Sequence, residues 1–293
     1  ILFIFSLFGC ENKSDDKIHI VTTIFPIYDF VREIKTDDFE VSMLLRPGQE
    51  VHTYDPSAKD ITNIYESELF IYIGGESDSY VDTILKNNKN VKALKLIDFV
   101  DTLEEDEEDH DHDHSHNDVE YDEHIWTSIR NAVKMVKAIS NSMLEIKNDE
   151  QIVQNTNEYI SKLDALDLRF SEIVKNAKTN IMVFADRFPF LYFAHDYNLN
   201  CYKAFPGCST ETEASAKKIK ELVDVCRNNN LGYVYYIDLS NKNVAKAVSK
   251  DANVEMLLFH SVQNVTLAEF KSESYISLME NNAIALEKGL NNE

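Results

Sequence analysis

The feature that most constrains this chain is a run of 28 residues, Glu150 to Ala177, that contains no Gly and no Pro. Ile152, Tyr159, Leu163, Leu166, Phe170, Ile173 and Ala177 recur through it at helical spacing. At 1.5 Å per residue the run predicts one helix about 42 Å long, longer than a small domain is wide. A helix of that length joins two bodies. On each side of it short apolar runs alternate with helical periodicity. Strand candidates are Ile18 to Thr23, Phe39 to Leu45, Leu69 to Ile73 and Val91 to Leu96 before it, and Ile181 to Ala185, Tyr233 to Asp238 and Glu255 to Phe259 after it. The expected fold class is α/β, with two α/β lobes (parallel sheets flanked by helices) joined by one long rigid helix. A length of 293 residues agrees, since about 150 residues make a domain. The expected division is 18–147 for the first lobe, 148–178 for the linking helix and 179–293 for the second lobe. Residues 1–17 form a leader remnant and tether.

Charge narrows the function. Acids outnumber bases 51 to 29, for a net charge of −22. Such a chain repels phosphate backbones and anionic lipid surfaces, which excludes nucleic-acid binding and makes cations the natural partners. Thirteen of the acids lie between Asp101 and Glu123, where there is no Lys or Arg. The same loop, 101–123, carries His110, His112, His114 and His116 at alternate positions. Histidines that close together can chelate zinc or nickel, so the tract reads as an accessory metal-collecting loop.

Cysteines divide by context. Cys10 closes Leu7-Phe8-Gly9-Cys10 after an apolar run from Ile1 to Phe8, and polar residues follow from Glu11 to Lys17. The pattern is that of the end of a lipoprotein signal peptide with Cys10 as the lipidated residue, and the apolar run is too short to span a bilayer. The expected location is extracytoplasmic, with membrane attachment through the lipid alone. Cys201, Cys208 and Cys226 allow at most one disulfide, and the sequence does not choose the pair.

Two further segments carry candidate chemistry. His52 lies in RPGQEVHTYDPS, the loop after the second strand candidate, and His124 lies in DEHIWTSIRNA just before a helix. Carboxyl ends of strands are where open α/β sheets bind ligands. Together the two segments resemble the first and second ligand motifs of the metal-specific solute-binding proteins of ABC importers for zinc and manganese. The resemblance runs from about Ile18 to Leu290.

It implies a receptor that holds its ion between two lobes and hands it to a membrane permease, acting as a monomer. It also asks for ligands from the second lobe, and there the sequence departs. In ADRFPFLYF, Ala185 to Phe193, Arg187 occupies a position where members of the family carry a ligand. Either the adjacent Asp186 takes that role, or Asp186 forms a structural ion pair and the ligand comes from elsewhere. His260 is the stronger candidate, because it follows Met256 to Phe259 at a strand end where manganese-type members would place an Asp. Glu211, Glu213 and Cys208 could line the same cleft, although Glu213 is more simply a helix N-terminal partner, and His195 reads as a helix-surface residue. Three imidazoles with at most one carboxylate suit Zn2+ better than manganese. Alternatives are a manganese-type receptor, a metal-binding adhesin of the same fold, and a zinc hydrolase. The last lacks an HExxH or comparable motif.

Overall fold

The structure, a computed structural model, describes residues 17–104, 121–207 and 213–292. The expectations for Cys10, His110, His112, His114, His116, Cys208 and Glu211 lie outside the described residues.

The first lobe runs β1 (Ile18–Thr22), α1 (Phe25–Ile34), β2 (Phe39–Met43), α2 (Ala58–Glu66), β3 (Leu69–Tyr72), α3 (Tyr80–Asn87) and β4 (Ala93–Lys95). Its strands form a parallel sheet in the order β2-β1-β3-β4. All four residues of β3 are buried, as a continuous apolar strand covered on both faces requires. Ser57 caps α2 reciprocally with Asp60, which fixes the end of the long β2–α2 loop.

Next come α4 (Ile129–Ile146), capped by the Ser128 hydroxyl on the Asn131 N–H, and α5 (Glu150–Asn176), the expected long helix. Its buried face is Ile152, Thr156, Tyr159, Leu163, Leu166, Phe170 and Ile173. Tyr159 meets Phe30 of α1 in the first lobe, whereas Phe170 meets Phe193 and Tyr197 of the second. One helix thus touches both bodies.

The second lobe contains β5 (Ile181–Arg187), α6 (Leu191–Asp196), β6 (Asn200–Phe205), α7 (Ala216–Asn228), β7 (Tyr233–Tyr236), α8 (Asn243–Ala252), β8 (Glu255–Leu258), α9 (Leu267–Ser272) and α10 (Tyr275–Asn291). Its parallel sheet has the order β6-β5-β7-β8. The edge strand β6 has no counterpart among the expected strands. Its sequence NCYKAF interleaves polar and apolar residues because most of its length is only half covered.

The lobes share a core. One cluster of buried side chains runs from Ile20, Phe30 and Trp126 in the first lobe, through Leu163 and Phe170, to Phe184, Phe259 and Tyr275 in the second. Helix α10 crosses back, with the Tyr275 N–H donating to Asp29 at 2.7 Å and its hydroxyl donating to the Trp126 carbonyl at 2.6 Å. Cys201 and Cys226 are free thiols, pushed by burial up to about 12 and about 11 respectively.

Candidate metal centre

Three side chains of the first lobe converge. His52 hangs from the loop between β2 and α2, and Glu123 and His124 precede the short 3-10 turn Ile125–Thr127 that leads into α4. Each offers one ligand atom, and the three atoms lie within 4.8 Å of one another. Among the described residues no other group of three or more His, Cys, Asp or Glu side chains closes this tightly.

Hydrogen bonds fix which nitrogen each ring presents. The Asp122 carboxylate accepts from the His124 backbone N–H at 2.7 Å and lies 3.1 Å from Nδ1 of the same residue. A carboxylate can only accept, so Nδ1 carries the proton and Nε2 keeps its lone pair for a cation. At His52 the link is Ser77. Its hydroxyl donates to Glu123 Oε1 and has no second hydrogen, so toward His52 Nδ1, 3.0 Å away, it accepts. His52 therefore also presents Nε2.

Glu123 is held from the turn after β3: Ser77 donates its hydroxyl to one carboxylate oxygen and its backbone N–H to the other at 2.9 Å. Gly75 makes this approach possible, because a Cβ there would stand 2.2 Å from Glu123 Cβ. Burial is the larger influence on His52 and lowers its imidazole pKa against the opposing pull of Glu123, which keeps the ring in the neutral, ligating form to lower pH. His124 and Glu123 are buried, and His52 is nearly so.

The second lobe closes over the site, and none of its described residues joins the group. Gly207 packs on the His124 ring, where a Cβ would come 3.1 Å from Cε1. Tyr192 of α6 donates its hydroxyl to the Asp122 carbonyl at 2.7 Å. Neither second-lobe candidate is gathered with the three donors. Asp186 spends one oxygen on the Arg187 N–H at 2.9 Å, and the other accepts from the Ser240 hydroxyl and the Ile237 N–H. Asp186 thus ties loops together at the wall of a cavity of about 270 Å3, where Arg187 faces Glu50 across the cleft at 3.4 Å. In His260, Nδ1 accepts the Val262 N–H at 2.9 Å, so Nε2 bears the proton and faces Glu269 at 3.7 Å. To ligate, it would have to shed that proton and turn away. His195 is exposed on α6, and Glu213 is exposed just ahead of α7.

Glu123 was not among the expected ligands. Its only sequence signal is adjacency to His124, and it closes a stretch so rich in acids that no single one stands out.

Comparison with known proteins gives the family. Residues 20–289 match the family described as zinc-uptake complex component A, periplasmic. The zinc-binding lipoprotein AdcA of Streptococcus pneumoniae serotype 4 is 33% identical over 297 residues, covering 98% of this chain and 59% of that protein. The high-affinity zinc uptake system protein ZnuA of Bacillus subtilis is 30% identical over 292 residues, covering 96% of this chain and 90% of that one. Among solved structures, the Zn(II)-bound ZnuA-like domain of S. pneumoniae AdcA matches with a TM-score of 0.78 at 30% identity, over 94% of this chain and 99% of the domain. The chain spans 59% of the length of the first AdcA relatives.

Proposed function

Because the chain belongs to the family of the periplasmic zinc-uptake component A, we propose that it is an extracytoplasmic receptor that captures Zn2+ as cargo at His52, Glu123 and His124 and delivers it to an ABC permease. The observation that carries the reading is the convergence of two imidazoles and one buried carboxylate, each with one ligand atom within 4.8 Å of the others. Two imidazoles and a carboxylate form a borderline-soft set that suits zinc, and three protein donors leave a position for water or a further ligand. His260 and Asp186 are the second-lobe side chains that could enter that position on rearrangement. Lipidation at Cys10 would keep the monomeric receptor at the membrane beside its permease.

The same donor set would serve a hydrolytic zinc, which keeps an open position for water. Family membership favours cargo over catalyst. Capture needs neutral rings, and Asp122 and Ser77 anchor the two Nδ1 protons, which holds each ring in its orientation. The test is a zinc competition titration on His52→Ala, Glu123→Ala and His124→Ala, with elemental analysis of the purified parent. Each substitution should lower zinc affinity at least tenfold, the scale seen even for disturbing ligand supports. Parent-like binding in all three would remove the assignment.

A further inference from the structure

Between β8 and α9 the segment Ser261 to Val265 runs along the boundary of the lobes and touches both loops of the metal centre. The Ser261 carbonyl accepts from Trp126 Nε1 at 2.9 Å, two residues beyond His124. Asn264, 4% exposed, donates through Nδ2 to the Arg46 carbonyl at 2.9 Å and the Gln49 carbonyl at 2.7 Å. Its Oδ1 accepts the Val265 N–H at 2.8 Å, and the Val265 carbonyl accepts the Gly48 N–H, also at 2.8 Å. Both amide hydrogens of this one side chain are thus spent on the turn that ends three residues before His52. The segment is also bent in an uncommon way: Val262, fully buried and β-branched, has φ +60°. Such a residue occupies the left-handed region only where its surroundings compel it, and positions of this kind cluster at functional sites.

We infer that Asn264 is a positioning residue for the metal centre, clamping the 46–49 turn so that the second lobe sets where His52 stands relative to His124. The inference rests on the reading that these two histidines hold the ion. Removing the amide would leave two carbonyl oxygens short of their donor and free the turn to shift. A ligand displaced by a fraction of an ångström coordinates poorly, so the loss appears in zinc retention.

The experiment measures zinc release to a chelator by stopped flow, together with metal-free melting, for the parent, Asn264→Ala, His52→Ala and the double variant. Asn264→Ala should release zinc about tenfold faster, within the range for residues that orient ligands. In the His52→Ala background it should add nothing, because the ligand it positions is gone. A lowered melting temperature with unchanged release, or an equal acceleration in the His52→Ala background, would overturn the proposal by showing a merely structural role. Should Asn264→Ala fail to fold, Asn264→Asp keeps the size and the acceptor for the Val265 N–H but loses both donors to the turn. It should speed release several-fold in the parent and not in His52→Ala, and release unchanged from the parent would overturn the proposal. If His52→Ala itself retains zinc like the parent, the site assignment falls first and this inference falls with it.

Discussion

Proton competition offers a stringent measure of the metal centre. In the structure both histidines carry the Nδ1 proton in a fixed hydrogen bond and present Nε2, so under the proposed assignment each takes up one proton at its ligand atom as the ion leaves at low pH. Two such atoms mean that, once pH lies below the values at which both rings protonate, the apparent zinc association constant should fall about a hundredfold per pH unit. That is about 2.7 kcal/mol, twice the 1.36 kcal/mol of a single site. The onset should lie below the ordinary imidazole value of ~6.5, because burial lowers the pKa of His52. The assay is zinc competition against a chelator of known proton affinity between pH 7.5 and 4.5. His52→Ala should halve the slope to tenfold per unit while also weakening the plateau. A parent slope of one proton, or a slope indifferent to His52→Ala, would refute the two-histidine site.

Other outcomes follow from particular contacts. Gly75→Ala should weaken zinc binding by about tenfold in a titration, since the added Cβ collides with Glu123 and displaces the carboxylate from Ser77. Replacing residues 105–120 by a two-residue Gly-Gly turn should leave one tightly bound zinc by calorimetry and an unchanged circular dichroism spectrum, because Glu104 and Tyr121 pair as an antiparallel bridge that such a turn can close and the three gathered donors lie outside the replaced segment; loss of the tight ion would show that the removed histidines are ligands. Burial raises the Asp29 pKa to about 7, against the opposing influence of Arg32. The folded state therefore binds the extra proton between pH ~4 and ~7, and stability falls as pH rises through that window, by up to a few kcal/mol. Melting curves of the parent and Asp29→Asn across pH 5 to 8 check this, and a pH dependence that is the same in both would contradict it.

Much of the architecture is legible in the sequence because it depends on one-dimensional regularities. The Gly- and Pro-free run becomes α5, and the four apolar runs of the first half become β1 to β4. Strand β6 escapes because an edge strand half open to solvent has no apolar run to read. At the site, His52 and His124 stand out as uncommon residues in distinctive surroundings. Glu123 does not, since nothing local separates a buried acid from twelve neighbours that share its stretch. In one dimension Asp186 reads either as a ligand or as half of an ion pair and His260 as a ligand, and only the fold reveals that Ser240 and Ile237 bond the first and Val262 the second. The bond from Asn264 to a turn more than two hundred residues earlier belongs to tertiary structure alone.

The apolar cluster that runs without a break from Ile20 to Tyr275 bears on how the molecule comes apart. Two lobes with separate interiors would unfold in two steps, and each could be produced alone. Each lobe also keeps a smaller cluster of its own, but the largest cluster draws side chains from both lobes and from α5, so cooperativity extends across the whole chain. Heating should produce a single calorimetric transition whose van't Hoff and calorimetric enthalpies agree, and neither lobe expressed by itself should hold a folded core. Zinc held by three residues of one lobe would then raise the melting temperature of both, by the mass-action stabilisation that a ligand confers on the only state able to bind it.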